Sequence, residues 1–173
     1  MRKSILGLVF CVLLCAAPVW GKDLKIGVVD IQTVMEESVP GEAALKELKN
    51  SFDEMKAELD KHKDNVMKLR QEIQKQSLVL SQEAQIDKET EFRQKAREFE
   101  GLQQSYQKKM QVKEKNLTKP ILEELKKVID AYGKKYSYTL ILDKKNSGAV
   151  YHDPSVDITN NVIEELNKAW SKN

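Results

Sequence analysis

Between Gly41 and about Tyr132 the chain is long, charged and almost free of glycine and proline. Its apolar residues recur at alternating spacings of three and four: Leu45, Leu48, Phe52, Met55, Leu59, His62, Val66, Leu69, Ile73, Gln76 and Leu80. That alternation is the seam of a coiled coil, interrupted in apolar character only by His62 and Gln76. The remaining faces carry Lys, Glu, Asp and Gln, which are good helix formers. A helix of this length spans roughly 60 Å at 1.5 Å per residue. No small globular core covers that distance, so the sequence predicts a projecting arm.

The second half repeats the pattern. Phe92, Ala96, Phe99, Gln103, Tyr106, Met110, Lys113 and Leu117 alternate by four and three, and Ile121, Leu125, Val128 and Tyr132 continue the stripe. Ser81 separates the two runs as an N-cap, with Glu83 placed to complement the positive helix end. A tight reversal is therefore expected near residues 79–82, with the two helices packed antiparallel. Pro120 removes a backbone donor within the second helix and predicts a kink where arm meets body. Gly133 is the expected helix stop.

The flanks, residues 22–40 and 133–173, supply a small α+β body on an otherwise mainly α chain. Residues 25–30 (KIGVVD) and 139–142 (TLIL) read as short buried strands, and Ala149-Val150-Tyr151 as a third. Asp157 or Thr159 is the expected cap of a final helix whose apolar face is Val162, Ile163 and Leu166. Three short strands leave open edges, and so small a body has little core of its own. Association through Ile26, Val28, Leu140, Leu142 and Val150 answers both problems.

The first 21 residues have the pattern of a secretory leader: Arg2 and Lys3, then an apolar stretch from Ile5 to Val19, then Val19-Trp20-Gly21 before a cleavage site. The rival reading is an uncleaved anchor. Cleavage after Gly21 removes Cys11 and Cys15, so the mature chain has no disulfide or thiol chemistry. It also removes two cations and no acid, leaving 27 basic residues against 27 acidic ones. That balance argues against nucleic-acid binding. The distribution is uneven, with nine lysines against four acids from Tyr106 to Lys135. This stripe is either a solvated helix face or a surface for an acidic partner or anionic lipid.

Nothing in the chain points to catalysis or a cofactor. His62 and His152 fall in different elements, and there is no zinc spacing, phosphate loop or nucleophile elbow. Asp30 and Asp143 end strands with no base, nucleophile or metal set beside them, which fits capping roles.

Several segments together resemble the Skp/OmpH family of periplasmic chaperones: KIGVVDIQTVMEES at 25–38, LSQEAQIDKETEFRQKAREFEGLQQ at 80–104, KPILEELKKVI at 119–129, LILDKKNSGAVY at 140–151 and DPSVDITNNVIEELNK at 153–168. The resemblance implies a homotrimer. Strands of three subunits would form the body, and three helical hairpins would enclose a cavity for unfolded outer-membrane proteins in the periplasm. The well-known members are strongly basic, whereas this mature chain is neutral, and no lipopolysaccharide-binding cluster is matched residue by residue.

The leading expectation is an ATP-independent holdase. Apolar residues outside the seam, or at the arm's end, are candidates for client contact: Met67, Leu78, Val79, Leu80, Ile86 and Leu102. A structural spacer, or an envelope-surface binder using the stripe at residues 106–135, are the other readings.

Overall fold

The computed structural model describes residues 24–77 and 79–172, so the leader and Leu78 lie outside the described residues. Strand β1, Ile26–Val29, ends at Asp30, which caps helix α1, Ile31–Glu37. The Asp30 carboxylate accepts the Thr33 N–H at 3.1 Å, supplying one of the donors a helix start leaves unpaired. Ser38 then closes α1 through its N–H to Val34 and opens helix α2, Val39–Gln76, through its hydroxyl to the Gly41 N–H. Pro40 falls in the first turn of α2, where its missing N–H costs nothing.

Helix α3, Gln82–Lys135, starts at Ser81, whose hydroxyl accepts the Ala84 N–H, with Glu83 in its first turn. The helix runs on through Pro120. It also runs through Gly133, contrary to the expected stop. Tyr136 caps it, and Ser137 adopts the left-handed conformation, φ 57°, that a terminal glycine would otherwise take. Ile141 Cδ1 stands 3.4 Å from where a Cβ would sit at Gly133, so that glycine lies against β2.

Strand β2, Leu140–Asp143, pairs with β1 in parallel, Ile26 opposite Leu140 and Val28 opposite Leu142. The expected third strand does not form: residues 149–151 are irregular, with Val150 and Tyr151 almost fully exposed. Its place is taken. Asp157 bridges to Val28, and the Ile158 N–H donates to the Val28 carbonyl at 2.8 Å, closing that edge of β1. A single turn at Pro154–Val156 leads into helix α4, Thr159–Trp170.

Ile158 is the N-cap of α4, and neither expected residue holds that position. Both still act at the junction. Asp157 accepts from the Thr159 N–H and hydroxyl at 2.9 and 2.6 Å, and the Thr159 hydroxyl accepts the Asp30 N–H at 3.0 Å. One chain of polar contacts thus joins the starts of α1 and α4 at the end of β1.

The core explains why α3 is so much longer than α2. Its last turns carry Ile121, Leu125, Val128 and Tyr132 into the body, against Val29, Val34, Ile158, Val162 and Leu166. Six of these nine are at most 2 % exposed and belong to both flanks as well as α3. The helix therefore ties together segments separated by more than a hundred residues, and burial of that apolar surface supplies the main folding force.

Asp30 is 8 % exposed. The Thr33 N–H bond, helped by the Lys145 ammonium at 3.8 Å, outweighs burial and holds its carboxyl below the ordinary value. In Asp157, burial is outweighed by the Thr159 bonds and by Lys144. A carboxyl depressed in the fold adds stability above its unfolded value, near pH 3.9, and that stability is lost as pH falls through the folded value. Asp30→Ala is expected to cost about 1 kcal/mol at neutral pH. The difference from the parent should shrink below about pH 4 in urea melts followed across that range; a pH-independent difference would reject the charge contribution.

Candidate functional site

The arm is assembled by side chains that reach from α2 to α3 along its whole length. Lys113 meets Glu47 at 3.0 Å and the Ser51 hydroxyl at 2.6 Å near the base. Farther out the Tyr106 hydroxyl donates to the Glu58 carboxylate. Lys88 meets Glu72 at 3.4 Å, and the Gln85 amide donates to the Ser77 carbonyl at the reversal. Going outward on α2, the partners run back along α3 and stay within about one helical turn of a single register, as an antiparallel pair does.

Between these ties lies a thin apolar seam. Leu48, Met55, Leu59, Val66, Leu69 and Ile73 on α2 are half-buried, as are Phe92, Phe99 and Met110 on α3. Tyr106 is buried, and the Glu58 carboxylate holding its proton raises its phenol above the ordinary value. Two apolar seam positions differ from the heptad reading, and Gln76 and Gln103, also placed in the seam by spacing, are exposed. Leu45 and Phe52 are 48 and 53 % exposed, and Ala44 and Ser51, one residue earlier, are the buried ones. The shift follows from the base of the arm: Ala44 joins the body core, and Ser51 is turned inward to the Lys113 ammonium.

The apolar residues proposed for client contact separate by exposure. Val79, Ile86 and Met67 are 86, 54 and 50 % exposed, whereas Leu80 and Leu102 are half-buried. In the body, Val28 is buried, Ile26 and Leu142 are half-buried, and Leu140 is 47 % exposed.

The two faces of the lower arm are chemically different. On one, Phe52, Met55, Leu59, Phe99 and Met110 line a groove of about 950 Å³ between the helices. On the other, Lys108, Lys109 and Lys113 surround the exposed Val112. The Lys109 ammonium lies 5.1 Å from the centre of the Tyr106 ring, a cation–π contact. Periodicity did not reveal the polar ties or the groove. Both depend on which residues of α2 and α3 stand opposite each other, and one helix's spacing does not carry that information.

Among the described residues, no group of three His, Cys, Asp or Glu side chains could hold a metal. Among them, too, no helix is long and apolar enough to cross a membrane.

Comparison with known proteins agrees with this architecture. Residues 25–166 match the family model for OmpH, outer membrane protein (OmpH-like). The chain is 25 % identical to the chaperone protein Skp of Blochmanniella pennsylvanica over 158 residues, covering 87 % of this chain and 89 % of that protein. It is 24 % identical to a Skp-like protein of Pseudomonas aeruginosa over 169 residues, covering 97 % and 99 %. A solved OmpH-like outer membrane chaperone from Caulobacter crescentus has the same fold at 18 % identity, with a TM-score of 0.72 over 84 % of this chain and 85 % of that one. A long two-helix arm on a small two-stranded body, and a family match spanning most of the chain, place this protein in the OmpH/Skp family of chaperones, which are not enzymes.

Proposed function

We propose that this protein is an ATP-independent holdase of the periplasm. It binds unfolded outer-membrane proteins between helical arms and keeps them from aggregating until they fold elsewhere. The leader at residues 1–21 takes it across the inner membrane and is removed after Gly21. The observation that carries the reading is the arm itself. Its helices share a thin seam and polar ties, and large apolar side chains such as Phe52, Met67, Val79 and Ile86 stay in solvent. Such a surface offers many weak contacts to a client of no fixed shape, and a thin core opens readily to clients of different size.

A homotrimer fits the body. Leu140 on β2 is half-exposed, and Val150 and Tyr151 have no partner strand among the described residues. Neighbouring copies would cover them, and three arms around one axis would enclose the client.

The test is aggregation of several unrelated unfolded barrels on dilution from urea. A holdase suppresses all of them at roughly stoichiometric ratios, with no nucleotide present. A structural spacer suppresses none. Val79→Asp with Ile86→Asp is expected to raise the concentration needed for suppression severalfold while the body's melting is unchanged. Unaltered suppression by that variant would remove the arm's end from the binding surface.

A further inference from the structure

The groove on the lower arm has a wall that its apolar floor does not explain. Gln103, Gln107 and Gln111 form a ridge along α3, four residues apart, and all three are exposed. Gln32, Gln85 and Gln94 each donate a side-chain hydrogen bond or accept one. Among the described residues no such bond engages the three amides of the ridge, nor those of Gln71, Gln74, Gln76, Gln82 and Gln104; what sets the ridge apart is its place along the groove. Three solvent-facing amides in line beside an apolar floor offer donors and acceptors to a chain lying in the groove.

Their spacing says what kind. Four helical residues rise about 6 Å. An extended chain turns one N–H and one C=O to the same edge every second residue, about 6.6 Å. Each glutamine amide carries both a donor and an acceptor, so the ridge can pair with three successive steps of a strand edge. A strand lying so turns alternate side chains down onto Phe52, Met55, Leu59, Phe99 and Met110, and the others out to water. On the opposite wall Lys56 and Lys63 outnumber Asp60, which suits carbonyl oxygens or acidic side chains on the strand's other edge. The volume of about 950 Å³ is large enough for several side chains.

We propose that this groove holds an extended client segment of alternating apolar and polar residues, gripped through its backbone and hence independent of its exact sequence. The inference rests on the holdase reading and adds to it a built site, low on the arm and away from the tip. Strands of outer-membrane barrels have that alternation.

The test measures binding of a fluorescent alternating peptide of about ten residues, long enough to pass three same-edge steps, to the intact protein. A second peptide carries N-methyl groups on the amides of one edge. Gln103→Ala, Gln107→Ala and Gln111→Ala together are expected to weaken the parent peptide about tenfold or more, the loss of three ordinary hydrogen bonds. The N-methyl peptide should bind the parent protein with a similar deficit, and the two losses should not add, because each removes the same contacts. Alanine favours the helix more than glutamine does, so the variant should keep its helix content by circular dichroism. Val112→Ala, on the lysine face, should change nothing.

Equal peptide binding by the triple variant and the parent would overturn the groove, and if aggregation suppression persists the holdase reading survives it. Reduced self-association with unchanged peptide binding would overturn it in favour of contact between arms of two copies. A parent protein that suppresses no aggregation removes the holdase reading and the groove together.

Discussion

Gly41→Ala is expected to unfold the body. Alanine in a helix interior is ordinarily better than glycine by about 1 kcal/mol, so propensity alone predicts stabilisation. Sterics oppose it. A Cβ at Gly41 would stand 1.9 Å from the Met35 carbonyl oxygen and 2.7 Å from its carbon. Those are backbone atoms of α1, so no rotamer change relieves the clash. The helices cannot slide apart cheaply either. Ser38 ends one and begins the other, and Val34 and Ala44, 0 and 8 % exposed, fix both to the core. The overlap should therefore win, with a net loss of about 3 kcal/mol or more. A body of this size has only a few kcal/mol to lose. The chain's two tryptophans are Trp20, in the predicted leader, and Trp170, packed against the core, so Trp170 fluorescence should report the change. A thermal midpoint unchanged from the parent would show that the junction tolerates a methyl group.

Leu140→Asp is expected to turn the proposed trimer into separate chains. Leu140 lies opposite Ile26 on β2, the outer strand of a two-stranded sheet, and is 47 % exposed in the single chain. An isolated protomer would hardly notice a charge at such a position, since surface substitutions usually stay within about 0.5 kcal/mol. If neighbouring copies cover that edge, the same charge is desolvated at each copy's contact, at a cost of several kcal/mol for an unpaired ion. Sedimentation should then report monomers at concentrations where the parent is trimeric, with client holding lost as the cavity opens. A variant that sediments as the parent does would place Leu140 outside any shared surface.

The arm was legible because a heptad seam is a local code. The spacing from Leu48 to Ile73, the gap at Ser81 and its capping hydroxyl suffice to place two helices and the reversal between them. The body was less so, because its pairing is decided between segments far apart. Ala149-Val150-Tyr151 has strand composition, but Asp157 and Ile158 occupy the edge of β1 instead. Gly133 suggests a helix end by residue type, yet α3 passes it and ends where Ser137 turns left-handed. At Leu45 and Phe52 the apolar pattern named the larger side chains, whereas the structure buries the small ones beside them. A small residue next to a large one leaves the seam ambiguous until the partner helix is known. The glutamine ridge was invisible for the same reason, since an exposed polar triplet acquires meaning only beside an apolar trough.

The single register between α2 and α3 has an evolutionary consequence. Lengthening or shortening one strut alone would put the ties beyond the change out of step, such as Lys88 with Glu72 for a change above Lys113 and Glu47. Lineages can therefore resize the arm only by paired insertions or deletions, seven residues in each helix at a time, each altering reach by about 10 Å. Such a ruler leaves the foundation untouched, because the residues that anchor it lie beyond Pro120 and before Leu45.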